Sequence, residues 1–176
     1  MAMMDYISGN GVFGVKGDFR DGPASWKDYV VLLCRIFLAA FFIYAAFQKA
    51  GKPLMFADEI RMYKVLGIGP LLYIMAIVLP WIEIICSISL LTGFFMRGSA
   101  FIFVVLNVVF IGVVIYRTFD IMNGEGTPFL DVYFDCGCGF GATYAWKKIL
   151  EDAVFLLSAL IIYFAPSYRF ALGRRN

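Results

Sequence analysis

The sequence contains no histidine among its 176 residues. This absence excludes haem or zinc held by imidazole, and it excludes a histidine general base. The haem-attachment pattern C-x-x-C-H is absent as well.

Charged residues are also scarce. They make up 16% of the chain, against about 25% in a typical soluble domain. The formal net charge is only +2, and no long run of lysine and arginine occurs, so nucleic acid is not expected as a partner. The N-terminal segment is polar and glycine-rich and lacks the apolar core of a signal peptide.

Hydrophobic residues are abundant instead, at 62% with a mean hydropathy of +0.82. They fall into four blocks whose lengths suit a bilayer core of about 30 Å. The sequence therefore predicts an all-α integral membrane four-helix bundle in contact with lipid. The predicted regions are a polar tail at 1–25, a membrane domain at 26–168 with spans at 26–49, 70–96, 98–116 and 149–166, and a basic tail at 169–176.

A fifth, shorter helix is predicted between the first two spans. Gly51-Lys52-Pro53 breaks the first helix, and a short helix is predicted over 53–66, where helical spacing places Phe56, Ile60 and Tyr63 on one face. This amphipathic pattern indicates a helix at the membrane surface.

The orientation follows from weaker signals. Four spans place both termini on one side, and lysine and arginine are shared equally between the two sides. The cluster of Arg169, Arg174 and Arg175 favours cytoplasmic termini, and cysteine pairs favour an oxidising compartment. The long loop between the third and fourth spans is therefore expected to be periplasmic.

Three polar residues lie inside the predicted spans: Arg35, Glu83 and Asn107. Counting along the spans places them at similar depth, and ionised groups in lipid usually pair or line a cavity. We expect an Arg35–Glu83 pair with Asn107 as a third member. The group could bind a polar or quinone-like ligand or conduct protons; the alternative is a structural clamp between two helices.

Two cysteines, Cys34 and Cys86, also lie within the spans. A free thiol in an apolar helix is usually a small packing residue. The alternative is a second redox pair that relays electrons across the membrane.

The other two cysteines form the string Cys136-Gly137-Cys138 in the glycine-rich loop. A disulfide between residues this close would close a small, strained ring, and strain makes a disulfide easier to reduce. Thiol–disulfide exchange is the first interpretation. A metal site would need further ligands that the chain does not offer nearby, so no metal is predicted. An inert ordered loop is the third interpretation.

Several motifs together resemble a known family. They are Arg35-Ile-Phe-Leu-Ala-Ala-Phe-Phe-Ile-Tyr44, Gln48-Lys49, Leu79-Pro80-Trp81-Ile82-Glu83, Leu90-Leu91-Thr92-Gly93 and Asp135-Cys136-Gly137-Cys138. Their order and spacing resemble DoxX-like proteins, and the last motif resembles the methylamine-utilisation MauE branch of that group.

The resemblance implies a four-helix protein of the bacterial inner membrane. It implies that Cys136 and Cys138 are a periplasmic redox pair served by a thioredoxin-like partner, and it makes a quinone the candidate cofactor. Relative to MauE proteins, Gly139 is one extra glycine in the motif. This departure and the polar tail favour an alternative, a non-catalytic accessory subunit of a larger respiratory or photosynthetic membrane complex. The aromatic content of 18% suits such subunit contacts as well as lipid.

Overall fold

The computed structural model describes residues 25–63, 69–135 and 141–165. Within these ranges the chain forms five α-helices and one antiparallel pair of short strands. The elements are α1 Trp26–Gly51, α2 Pro53–Met62, α3 Pro70–Thr92, α4 Met96–Glu125, β1 Tyr133–Asp135, β2 Ala142–Tyr144 and α5 Ala145–Phe164, with a 3-10 turn at Phe129–Asp131. The predicted all-α class is confirmed, and the strand pair is a minor addition.

The four long helices form a bundle. α1 packs against α3 and α5, and α4 packs against the same two helices. Within the described ranges, α1, α3 and α4 are long and apolar enough to cross a membrane. Only 28–39% of their apolar windows is buried inside the protein, so most of that surface faces lipid. The fourth helix of the bundle, α5, carries its charged residues in its first two turns.

Different elements lie at the two ends of the bundle, the tail end and the loop end. The tail end contains the N-terminus of α1, the turn between α3 and α4, and the C-terminus of α5. The loop end contains the C-terminus of α1, all of α2, the strand pair and the N-terminus of α5. At the tail end the chain reverses within Gly93–Phe95, where Gly93 and Phe95 adopt left-handed backbone conformations with φ of 78° and 53°.

The main core lies towards the tail end and is apolar and aromatic. The Phe41 and Phe155 rings have centroids 4.1 Å apart, and those of Phe42 and Phe103 are 4.5 Å apart. Leu38, like Phe103, is fully buried in the same cluster. Close packing of this kind joins α1, α4 and α5 without any help from charge.

The predicted short helix between the first two spans is present as α2. Phe56 and Ala57 are buried against Leu72 and Ala76 of α3, whereas the charged Asp58 on the other face is exposed. Pro53 occupies its first turn, where a missing N–H costs no helical hydrogen bond.

Two boundaries depend on local chemistry. Ser25 caps α1, and its backbone N–H donates to the Asp28 carboxylate at 2.9 Å. α4 continues past residue 116, where the predicted third span ends, to Glu125. The ion pair of Arg117 with Asp120 supports this extension on the helix surface. Most of the predicted 1–25 tail and all of the predicted 169–176 tail lie outside the described residues.

Candidate functional site

Arg35 lies almost fully buried on α1. Its Nε donates to the Leu90 carbonyl at 2.8 Å, and its Nη2 donates to the Leu91 carbonyl at 3.0 Å. These carbonyls belong to the last turn of α3, where they lack partners within the helix. The guanidinium therefore caps the negative end of α3 towards the tail end.

Glu83 pairs with Lys49, and the predicted Arg35–Glu83 pair is wrong. Lys49 Nζ lies 2.9 Å from Glu83 Oε1 and 3.1 Å from Oε2, with both side chains nearly buried. The physical reason is the direction of helical side chains, which lean towards the N-terminus of their helix. On α1 this lean takes Arg35 away from Glu83 and brings Lys49, a full fourteen positions later in the sequence, towards it.

Asn107 is buried, but its amide bonds locally. Its Nδ2 donates to the Phe103 carbonyl of the same helix at 2.8 Å. Its predicted membership of a group with Arg35 and Glu83 is therefore wrong.

Cys34 and Cys86 are buried thiols in the apolar cluster. Cys34 lies beside Ser158 of α5, and Cys86 lies beside Ser99 of α4. This setting suits the predicted packing role.

A second buried ion pair, which the sequence interpretation missed, lies at the start of α5. Lys148 Nζ is 2.6 Å from Asp152 Oδ1, and each side chain is only 3% exposed. The ammonium also lies over the rings of Phe110 and Phe155, at 5.2 and 5.8 Å. Among the described residues, Asp152 Oδ2 has no hydrogen-bond partner. The i, i+4 spacing of the two residues was the signal that could have identified this pair.

Tyr63 connects the short helix to these charges. Its ring meets that of Phe134 edge-on, with centroids 6.3 Å apart. Burial, together with the nearby carboxylates of Asp152, Asp135 and Glu59, raises the pKa of the Tyr63 hydroxyl well above its usual range. The hydroxyl therefore stays protonated and lies among acidic groups drawn from three elements.

The two paired strands flank the cysteine motif in the sequence. Tyr133 pairs with Tyr144, and Asp135 pairs with Ala142, so the two flanks of the motif are held side by side. Gly141 has φ of 80°, a left-handed conformation that favours glycine. The predicted site residues Cys136 and Cys138 themselves lie outside the described residues.

A cavity of about 170 Å³ lies next to the strand pair at the loop end. Its lining residues are Gln48, Lys49, Lys52, Met55, Phe56, Glu59, Asp135 and Gly141. Two of them, Asp135 and Gly141, are the described residues on either side of the cysteine segment. The cavity thus joins the buried Lys49–Glu83 pair to the flanks of the Cys-Gly-Cys motif.

The cavity wall combines hydrogen-bond donors with a carboxyl of altered acidity. Burial and the neighbouring Asp135 raise the pKa of the Glu59 carboxyl, while Lys49 opposes the rise. Lys49 Nζ also lies 5.2 Å from the centroid of the Phe56 ring. The arrangement can hold a polar ligand against an apolar face.

Comparison with known proteins gives one match. No curated protein sequence and no solved structure matches this chain. A family model, described as methylamine utilisation protein MauE, matches residues 27–165. That range includes the strand pair, the cysteine motif and all the described helices except Trp26, the first residue of α1. The broader likeness to DoxX proteins stays a prediction, but the match over most of the chain shows that this membrane protein belongs to the MauE family.

Proposed function

We propose that this MauE-family protein carries out thiol–disulfide exchange through Cys136 and Cys138. The observation that carries the proposal is the strand pair. It holds Asp135 beside Ala142 and so fixes both ends of the segment that contains the two thiols. A short segment tied at both ends suits a reactive pair better than a structural staple, because a ring this small adds little constraint to the chain.

The electrons and bonds of the exchange balance with the partner's two thiols as the only other reactant. A partner thiolate attacks one sulfur of the Cys136–Cys138 disulfide, and the bond between the two cysteines breaks. The second partner thiolate then attacks the partner sulfur of this mixed disulfide. The partner leaves as a disulfide, and Cys136 and Cys138 keep the two electrons and become thiols.

The charges at the loop end support this chemistry. Lys49 and Lys52 line the cavity that Asp135 and Gly141 also line. Positive charge near a thiol lowers its pKa and increases the reactive thiolate fraction.

The proposed setting is the bacterial inner membrane, with the loop end in the periplasm and a thioredoxin-like protein as the partner. Exposed apolar side chains surround the strand pair and would offer a contact surface: Phe129, Leu130, Tyr133 and Tyr144. A periplasmic position suits the proposal because disulfides persist in oxidising compartments.

The test uses the purified full chain and glutathione disulfide as the probe. We expect the Cys138→Ser variant to accumulate a stable glutathione adduct on Cys136, since the thiol that would resolve it is gone. Intact-mass spectrometry reads the adduct, and the Cys86→Ser variant is the matched control that should not accumulate it. Reaction of Cys136 no faster than that of an unstructured cysteine peptide would contradict the proposal.

The accessory-subunit alternative gains no separate support from the described residues. The outward apolar faces of α1, α3 and α4 suit lipid as well as another subunit. The polar tail that favours the alternative lies largely outside the described residues. Full activity of a copurifying complex after replacement of both Cys136 and Cys138 would favour this alternative over exchange.

A further inference from the structure

We propose that the loop-end cavity binds the head group of an aminophospholipid, with its phosphate at Lys52 and its ammonium at Glu59 and Asp135. The ligand chemistry is that of an ethanolamine phosphate ester, and phosphatidylethanolamine is the lipid that carries it. The inference does not depend on the proposed function, because the binding needs neither Cys136 nor Cys138.

The lining of the cavity carries both signs of charge. Lys49 and Lys52 contribute ammonium groups, and Glu59 and Asp135 contribute carboxyl groups. Each sign opposes a ligand of the same sign, whereas a zwitterion can meet a group of opposite charge at each of its ends. A metal ion is not favoured, because the described part of the chain contains no group of three metal-ligating side chains.

The two charges that α2 contributes are separated along the helix. Lys52 immediately precedes α2, and Glu59 follows seven residues later, so helical spacing places both on one face with their backbones about 10 Å apart. Met55 and Phe56 lie between them and supply an apolar wall. The cavity thus offers a positive end, an apolar middle and a negative end. An ethanolamine phosphate group has the matching order of phosphate, two methylenes and ammonium.

Lys52 is the lysine available to the phosphate. Lys49 Nζ already lies 2.9 Å and 3.1 Å from the two carboxylate oxygens of Glu83. Within the described ranges Lys52 forms no ion pair and no side-chain hydrogen bond. Its ammonium can therefore donate to a phosphate oxygen, and the Gln48 amide in the same lining can add a neutral N–H.

The carboxyl end of the cavity favours a primary ammonium. Burial and the neighbouring Asp135 raise the pKa of the Glu59 carboxyl, and Lys49 only partly opposes the rise. A positive charge beside both carboxyl groups would offset their repulsion. The ammonium of ethanolamine has three N–H donors for these groups, whereas the trimethylammonium of choline has none. The site should therefore prefer ethanolamine to choline.

The position of the cavity favours a lipid over a soluble ester. α1 has 26 residues and so a length of about 39 Å, against about 30 Å for the hydrocarbon core, so its ends extend into the head-group layers. Next to this end of α1, Leu54 and Met55 are exposed apolar side chains that can contact acyl chains. A cavity of about 170 Å³ is smaller than the roughly 300–1,000 Å³ of sites for drug-sized ligands, which suits a head group without its tails.

The experiment adds defined lipids to the purified full chain in detergent and detects bound lipid by native mass spectrometry. The probes are dioleoylphosphatidylethanolamine, the matching phosphatidylcholine and phosphatidylglycerol, and free O-phosphoethanolamine. We expect saturable binding of the ethanolamine lipid, about fivefold tighter than that of either other lipid. The free ester should bind far more weakly, because it lacks the acyl chains.

Two variants test the two ends of the head group separately. Lys52→Met should weaken the ethanolamine and choline lipids alike, about fivefold, because both carry the phosphate. Glu59→Gln should weaken only the ethanolamine lipid, so that the preference over choline disappears. The matched controls are Lys27→Met, at an exposed lysine near the other end of α1, and Asp58→Asn, at an exposed carboxylate outside the lining. Both should bind like the wild type.

Two results would overturn the inference. Equal binding of the three lipids, or control variants as weak as Lys52→Met and Glu59→Gln, would show non-specific lipid around the helices. Free O-phosphoethanolamine that binds as tightly as the lipid would assign the cavity to a soluble ester instead. Cys136→Ser/Cys138→Ser should retain the lipid, so failure of the exchange assay would leave this result intact.

Discussion

Buried charged side chains have different partners at the tail end and at the loop end of the bundle. At the tail end, Arg35 satisfies the spare carbonyls of α3 beside an apolar core that also contains Cys34 and Cys86. At the loop end, two oppositely charged pairs are buried within the bundle, beside a cavity that the cysteine flanks also line.

The contrast separates a charge that caps a helix end from charges that pair with one another. A charge in a membrane helix is costly unless it is paired or hydrogen-bonded. One arginine that caps a helix end is sufficient for the tail end. The loop end keeps two lysines and two carboxylates where apolar packing would serve stability equally well.

The largest expected effect comes from breaking one loop-end pair. Lys148→Met leaves the buried Asp152 carboxylate without its partner, so we expect a loss of about 3–5 kcal/mol in the free energy of unfolding. Thermal unfolding of the detergent-solubilised protein measures the loss. The double variant Lys148→Met/Asp152→Leu should recover most of it, and a double variant as unstable as the single one would contradict this account.

Removing the tail-end cap should cost less. Arg35→Met leaves the buried carbonyl of Leu90 and the partly buried carbonyl of Leu91 without this donor, and we expect a loss of about 2–3 kcal/mol. The matched control is Arg61→Met, because Arg61 is exposed and its contact with Asp58 is a weak surface pair. If both variants lose the same stability in the same unfolding assay, the capping role is not supported.

The four cysteines should divide between the two ends. Cys34→Ala and Cys86→Ala should each cost about 1 kcal/mol of stability, as for an average core substitution, and should leave the exchange rate unchanged. Cys136→Ser should abolish exchange while leaving stability intact. Glutathione exchange and unfolding, measured on the same preparations, test the division. A loss of exchange in Cys34→Ala would revive the electron-relay interpretation.

The smallest effect concerns pH. Because burial raises the pKa of Glu59 above its ordinary value of 4.5, the folded protein binds this proton more tightly than the unfolded chain does. Its contribution to stability is fully present below pH 4.5 and declines as pH rises through the folded pKa. Glu59→Gln should remove that decline, whereas Asp58→Asn, at an exposed neighbouring carboxylate, should retain it. The free energy of unfolding of both variants, measured across this pH range, tests the prediction.

Much of the fold could be predicted because its signals are local. Apolar blocks of membrane length, the break before Pro53 and the amphipathic face of Phe56 each require only neighbouring residues to interpret. The Lys49–Glu83 pair between two helices could not be predicted in the same way. Depth counted along each helix placed Arg35 opposite Glu83, but counting ignores the direction in which a long side chain leans.

The sequence alone determined a four-helix membrane protein, excluded imidazole chemistry and identified a Cys-Gly-Cys motif outside the spans. These properties follow from composition and from hydrophobic runs. Each run is long enough to span lipid as a helix whose backbone hydrogen bonds are all internal, so it can be recognised separately. Tertiary structure decided which charges meet between helices: Lys49 with Glu83, and Arg35 with the end of α3. Those partners come from the crossing of helices and the lean of their side chains, which depend on how the bundle packs.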